Sequence, residues 1–167
     1  MSDLQFVKHI LLEKAVLNRV NGYVDPRGYT VELGGILLGL RRADCIHVTD
    51  CTFPGQTDQS SRNRFFRRDP SHQEIASKAW EGSEQKIDWV GEWHTHPETQ
   101  PTPSAIDKRT WASQTRSRNS TMTYFIVGTT GSWIGICSKE ARIRNLLRIG
   151  ESDSRILFSA PVQHCTV

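Results

Sequence analysis

Along this chain the spacing of apolar residues switches repeatedly between a period near 3.6 and a period of 2. A chain that alternates helix-period and strand-period segments can bury both kinds of face only by layering helices on a sheet, so an α/β or α+β layered domain is expected. Residues 6–20 place Phe6, Ile10, Leu11, Ala15, Val16 and Val20 near helical spacing and predict an opening amphipathic helix, ended by Gly22 and Asp25-Pro26. The segment TVELGGILLGL (30–40) is apolar, β-branched and glycine-containing. It predicts a buried strand or short hairpin whose backbone approaches a neighbour closely. CIHVTDCTF (45–53) alternates as a strand, and the polar run PGQTDQSSRN (54–63) predicts a loop. Asp69-Pro70 reads as an N-cap with proline at the first helical position, opening a helix that carries Ile75, Ala76 and Ala79 on one face and ends near Gly82. In KIDWVGEWHTHP (86–97), Ile87, Trp89 and Gly91 alternate against Asp88, Val90 and Glu92, as in a central strand stopped by Pro97. A helix is expected from about residue 103, and MTYFIVGTTGSWIGICS (122–138) predicts two strands around GTTGS. EARIRNLLRIG (140–150) fits a strand end or a short helix, and the ILF of the tail fits a last strand followed by mobile residues.

Size and composition exclude several classes. With 167 residues, and with no repeat or linker, one domain over 1–167 is expected. No apolar run approaches the roughly 18 residues of a membrane span, so no membrane partner is expected. The N-terminus mixes charges through its apolar positions rather than presenting a basic start and a continuous apolar block, so a cytoplasmic protein is expected. A net charge of +3 falls short of the footprint of a nucleic-acid module. Cys45, Cys51, Cys137 and Cys165 form no CxxC pair and read as reduced packing residues.

Chemistry concentrates in WHTHPETQPTPSAID. His94 and His96 stand two apart at a strand end and leave it on the same face, so both can reach one ion. Zinc accepts neutral imidazole, and a catalytic site typically adds a third protein ligand and keeps one position open. Asp107 follows eleven residues later at the start of a helix marked by Thr102-Pro103-Ser104, and Ser104 shares its face at i−3. Ser104 can then donate toward an oxyanion or a ligand; equally, Ser104 and Asp107 can form a capping box.

The segment HTHPETQPTPSAID resembles the JAMM (JAB1/MPN/Mov34) metallopeptidase signature: HxH, seven residues, Ser, two residues, Asp. A glutamate before a glycine-rich apolar strand, which this family also carries, is matched by Glu32 in VELGGILLG. The resemblance covers roughly residues 8–138. It implies a three-layer α/β/α sandwich with a mixed central sheet, similar to the cytidine deaminases. It also implies one catalytic Zn2+ held by His94, His96 and Asp107, with Ser104 assisting and Glu32 as general acid/base toward an attacking water. Zinc deaminases themselves carry HxE and a later PCxxC, and this chain has neither.

The chain is most similar to stand-alone bacterial JAB deconjugating peptidases of CBASS antiphage operons. That implies hydrolysis after the C-terminal tail of a ubiquitin-like protein, or of a protein conjugated in the same manner, such as a cGAS-like nucleotidyltransferase. Trimming of a ubiquitin-like or sulfur-carrier precursor is the alternative within the class, and a non-catalytic MPN-type binding module the alternative outside it. Glu92, two residues before His94 on the same strand face, is a candidate for supporting the site or for a solvated ion pair. SSRNRFFRRDP (60–70) fits an edge strand with solvated charges and inward phenylalanines, or a contact for a substrate tail or nucleic acid. Trp93 is expected in the core, and His9, His47, His72 and His164 are expected to be structural or superficial.

Overall fold

The computed structural model describes residues 7–25 and 31–161. Strands β1 (His9–Glu13), β2 (Gly34–Arg42), β3 (Cys45–Cys51), β6 (Asp88–Thr95), β7 (Met122–Val127), β8 (Ser132–Cys137), β9 (Ile143–Asn145), β10 (Leu147–Glu151) and β11 (Arg155–Ser159) form one mixed sheet in the order β10-β11-β1-β3-β2-β6-β7-β8-β9. The pairs β1–β3 and β6–β7 are parallel and the others antiparallel. A separate hairpin joins β4 (Gln59–Ser61) to β5 (Arg64–Phe66).

Helices α1 (Lys14–Asn21), α2 (Ser71–Gly82) and α3 (Ala105–Arg118) complete the fold. Val16 and Val20 of α1 pack with Trp93, Phe125 and the apolar face of β1 and β3. Trp111 of α3 packs against Met122, Tyr124 and Ile126 on the opposite face. Helix α2 borders a cavity with Ile36 and Trp89, and Ile36 is the register partner of Glu92, which places α2 on the same face as α3. The layers are therefore α1, the sheet, then α2 with α3, as the sandwich expectation required.

Several local expectations change. The predicted helix over 6–20 is split, because Ile10 and Leu12 are fully buried in a strand inserted between β11 and β3, and only Lys14–Asn21 is helical. Sheet pairing on both sides of β1 outweighs the helical spacing; Phe6 lies outside the described residues. The polar run 54–63 is not all loop, since it holds β4 and the turn into β5. The segment 60–70 falls largely in the separate β4–β5 hairpin rather than on an edge of the main sheet, with Phe66 37% exposed. Helix α2 opens one residue later than expected, at Ser71 with Pro70 rather than Asp69 as its N-cap; Pro70 has helical angles and Asp69 Oδ1 accepts the N–H of Ser71.

Residues 143–151 are strand, and the ILF segment lies in β11, between β10 and β1. In β6 the register slips at Val90, where Leu37 pairs with Gly91 but Leu38 with Trp89. The extra residue sends Val90 into the Trp93 core and Trp89 toward the α3 side, breaking the simple alternation. Cys45, Cys51 and Cys137 are free thiols; Cys165 and His164 lie outside the described residues. Among the described residues no helix is long and apolar enough to cross a membrane.

Candidate metal centre

His94 ends the regular part of β6, and the pairing continues past it. Gly34 lies opposite His94, Thr95 N–H donates to Leu33 O at 2.8 Å, and Leu33 N–H donates to Thr95 Oγ1 at 3.0 Å. Continuing the register by one more residue sets Glu32 across from His96. On the other side His96 N–H donates to Val127 O at 2.9 Å, so both flanks of the histidine strand are fixed. Glycine is required at 34. A Cβ there would lie 2.5 Å from Trp93 O, 2.9 Å from Phe65 Cδ1 and 3.0 Å from His94 Cβ.

Helix α3 brings Asp107. Ser104 is its N-cap, Ser104 Oγ accepts Asp107 N–H at 3.1 Å, and Asp107 Oδ2 accepts Ser104 N–H at 2.7 Å, a complete capping box. The same carboxylate faces both histidines, with Oδ1 3.3 Å from His94 Nε2 and Oδ2 3.4 Å from His96 Nε2. The cap and the site are thus one arrangement rather than alternatives. One turn further along α3, Trp111 stacks on Tyr124 at 4.4 Å and on Trp133 at 5.4 Å, and its ring lies 6.1 Å from that of His94.

The two Nε2 atoms are 3.0 Å apart, and Glu32 Oε1 is 3.5 Å from His96 Nε2. Tetrahedral ligands at about 2.1 Å from an ion are about 3.4 Å from one another. The spacings from Asp107 to both histidines match that edge, and the donor set of two imidazoles and a carboxylate suits a borderline divalent ion. Glu32, His94 and His96 likewise offer ligand atoms within 4.8 Å of one another, and all three are buried. The residues present fit a metal ion. His96 Nδ1 has the exposed Glu98 carboxylate at 3.6 Å, beyond hydrogen-bond reach.

Burial pushes the Glu32 carboxyl up to about 7 against the opposing pull of His94 and His96, with Asp107 and Glu98 adding to the rise. Burial acts the same way on Asp107, yet the hydrogen bonds from His94, His96 and Ser104 hold it well below the carboxylate range. Burial disfavours the His96 imidazolium, but Asp107, Glu32 and Glu98 raise it above its ordinary value. Two carboxylates in one small site are thereby separated, one anionic and one poised near neutrality.

All five sequence-derived residues, Glu32, His94, His96, Ser104 and Asp107, meet here. Glu92 lines the same cleft, a cavity of about 190 Å³ walled by Phe65, Arg67, Ile106 and Trp111. Arg67, Glu98 and Gln114 were not anticipated. For Gln114 a signal existed, since 107, 111 and 114 share a helical face; Arg67 joins the site through a long-range pairing that no local pattern shows. His72 and His47 are structural as expected, bonded to Asp58 at 2.7 Å and to Glu13 at 2.7 Å.

A mixed sheet with helices on both faces, and a buried cluster of two histidines and two carboxylates at one strand end, define a JAB-type hydrolase. The chain belongs to the prokaryotic homologs of the JAB domain, whose pattern it matches over residues 23–144. It is 34% identical over 139 residues to the CD-NTase/cGAS isopeptidase of Escherichia coli, covering 81% of this chain and 88% of that protein. To the CD-NTase/cGAS isopeptidase of Vibrio cholerae serotype O1 it is 35% identical over 146 residues, covering 84% and 93%. A solution structure of a protein from Desulfitobacterium hafniense shares the fold, with a TM-score of 0.58 at 24% identity over 81% of this chain and 88% of that one.

Proposed function

We propose that this chain is a zinc-dependent isopeptidase. It hydrolyses the amide that joins the C-terminal tail of a ubiquitin-like protein, or of a cGAS-like nucleotidyltransferase conjugated in that manner, to an amine of a target. His94, His96 and Asp107 are the metal ligands, Glu32 is the general acid/base and Ser104 an auxiliary donor. The observation that carries this reading is the pairing of a buried Glu32, pushed up to about 7, with a His94–His96–Asp107 triangle whose carboxylate-to-imidazole edges are 3.3 and 3.4 Å. Isopeptidase relatives that cover most of the chain support the choice of bond.

A zinc ion bound by these three side chains would supply Lewis acidity to the scissile carbonyl and to the attacking water. Glu32 accepts a proton from that water as its oxygen bonds to the carbonyl carbon, then delivers the proton to the departing nitrogen as the C–N bond breaks. The products are a free tail carboxylate and a free amine. Glu32 is placed to serve in both directions because it is buried beside the histidine pair, with Oε1 3.5 Å from His96 Nε2. Asp107 is held anionic, and Ser104, which caps its helix and bonds its carboxylate, sits beside the reacting groups as an auxiliary donor.

The test is to incubate zinc-loaded protein with a nucleotidyltransferase tail joined to a lysine side chain and to locate the cut by mass spectrometry. Release of the intact tail by wild type, and none by Glu32→Gln, is expected. An intact conjugate with verified zinc occupancy sinks the isopeptidase reading. Cleavage restricted to a linear C-terminal extension assigns precursor trimming instead.

A further inference from the structure

Three contacts tie the β4–β5 hairpin and the residue after it to the site, and one of them holds the backbone of Glu32. On the β4 side Ser61 O accepts the backbone N–H of Glu32 at 2.8 Å. In β5, Phe65 sits against the position where Gly34 lacks a side chain. Past β5, Arg67 sends Nε and Nη2 to one oxygen of Glu92, at 3.2 and 3.0 Å, while its guanidinium covers the Trp89 ring at 4.8 Å. Gln114 of α3 donates to the same Glu92 oxygen at 2.9 Å.

Glu92 therefore connects the hairpin, the histidine strand and the helix that carries Asp107. Its side chain is 16% exposed and that of Arg67 is 26% exposed, so the pair is partly shielded from water. Glu32 precedes β2, and its backbone N–H is held by the hairpin rather than by the main sheet.

We propose that Arg67 and Glu92 are positioning residues, a latch that fixes the hairpin over the cleft and through Ser61 sets the placement of Glu32. This rests on the isopeptidase reading for its catalytic consequence, but not for its structural one. Releasing Arg67 frees the β5 end of the hairpin. The Ser61–Glu32 bond then opens more often, and the general acid/base spends more time out of place while the metal ligands stay where they are.

The experiment pairs two readouts on Arg67→Met, Glu92→Gln and the double variant. Amide hydrogen exchange by NMR on the zinc-loaded protein reads the latch without substrate. The Glu32 N–H should exchange about tenfold faster in Arg67→Met, the scale of one lost charge-assisted hydrogen bond. Glu92→Gln should fall between wild type and Arg67→Met, the double variant should be no faster than Arg67→Met, and the Thr95 and His96 amides should not change. Cleavage of the tail–lysine conjugate should lose about tenfold in kcat with KM within threefold. A rise in KM alone, with Glu32 exchange unaltered, would make Arg67 a substrate contact and overturn the latch. Faster exchange at Glu32 with kcat unchanged would overturn its role in placing Glu32. Should wild type fail to cleave the conjugate, the exchange arm still decides the latch, and the failure belongs to the proposed reaction.

Discussion

Replacing Glu32 by glutamine should abolish hydrolysis and, in metal-free protein, make the fold more stable. The Glu32 carboxyl is 6% exposed and is pushed from 4.5 up to about 7, chiefly by burial. Its native pKa lies above its unfolded value, so between these two pH values the native state binds more protons than the unfolded chain. Stability is then undiminished below pH 4.5 and falls as pH rises toward 7, by about 1.4 kcal/mol per unit or about 3 kcal/mol in all. Glutamine never ionises and does not incur this loss. At pH 8.5 in chelator, Glu32→Gln should unfold about 3 kcal/mol later in urea, which for a chain of this size is roughly 6–12 °C in Tm. At pH 4 the two proteins should unfold alike. Saturating zinc should shrink the gap at pH 8.5, since a cation beside the carboxylate offsets its desolvation. Parallel urea curves at the two pH values check the argument. A Glu32→Gln variant no more stable than wild type at pH 8.5 without metal refutes the claim that burial sets the state of this group.

Three further outcomes follow from other parts of the molecule. Asp58, with its side chain 2% exposed, accepts the N–H groups of Gly55, Arg68 and Asp69 as well as His72 Nε2–H. Although burial opposes it, these bonds depress its pKa, so its contribution is present above the usual carboxylate range and lost as pH falls through the lower native value. Asp58→Asn should cost about 3 kcal/mol in urea unfolding at pH 7 and flatten the acid limb of the stability profile. Ser104→Ala should cost about 1 kcal/mol from the lost cap. If the hydroxyl also donates to the reacting oxygen, kcat should fall by a further factor of about 100 while zinc affinity, measured by competition with a chromogenic chelator, changes little. Gly34→Ala forces a Cβ against Trp93 O and Phe65 and should cost about 1–3 kcal/mol, with a larger proportional loss of activity because the displaced atoms adjoin His94.

The layered fold was legible because most segments obey the period of the element they form, and the exceptions have a common cause. Residues 9–13 are spaced as a helix would be, yet they serve as a strand between β3 and β11, whose partner residues stand 36 or more positions away. Trp89 breaks the alternation of β6 because the register slip at Val90 answers to β2, not to neighbours in sequence. The segment 60–70 reads as a single edge strand, and its division into a hairpin is marked by no apolar period, because its strands are three residues each and nearly all exposed. In the first two cases the deciding term is a pairing between distant segments, and the hairpin too is held by distant contacts, Ser61 to Glu32 and Arg67 to Glu92, none of which local spacing encodes.

The site shows the same division. Two histidines at i and i+2, and a serine and aspartate at i and i+3, are local geometry, and the structure keeps both relations. That Glu32 faces His96 depends on the β2–β6 register continuing past Gly34 and His94, and no spacing in the chain states it. Glu92 was visible as a residue sharing the face of His94, but its partners were not, because Arg67 and Gln114 come from a hairpin and a helix that meet only in the folded molecule. The histidine–aspartate cluster can thus be written in a short stretch of sequence, whereas the placement of Glu32 is a tertiary property, fixed by the sheet register and by the backbone bond to Ser61. Substitution of Arg67, far in sequence from the proposed metal ligands, should therefore act on kcat before it acts on metal binding.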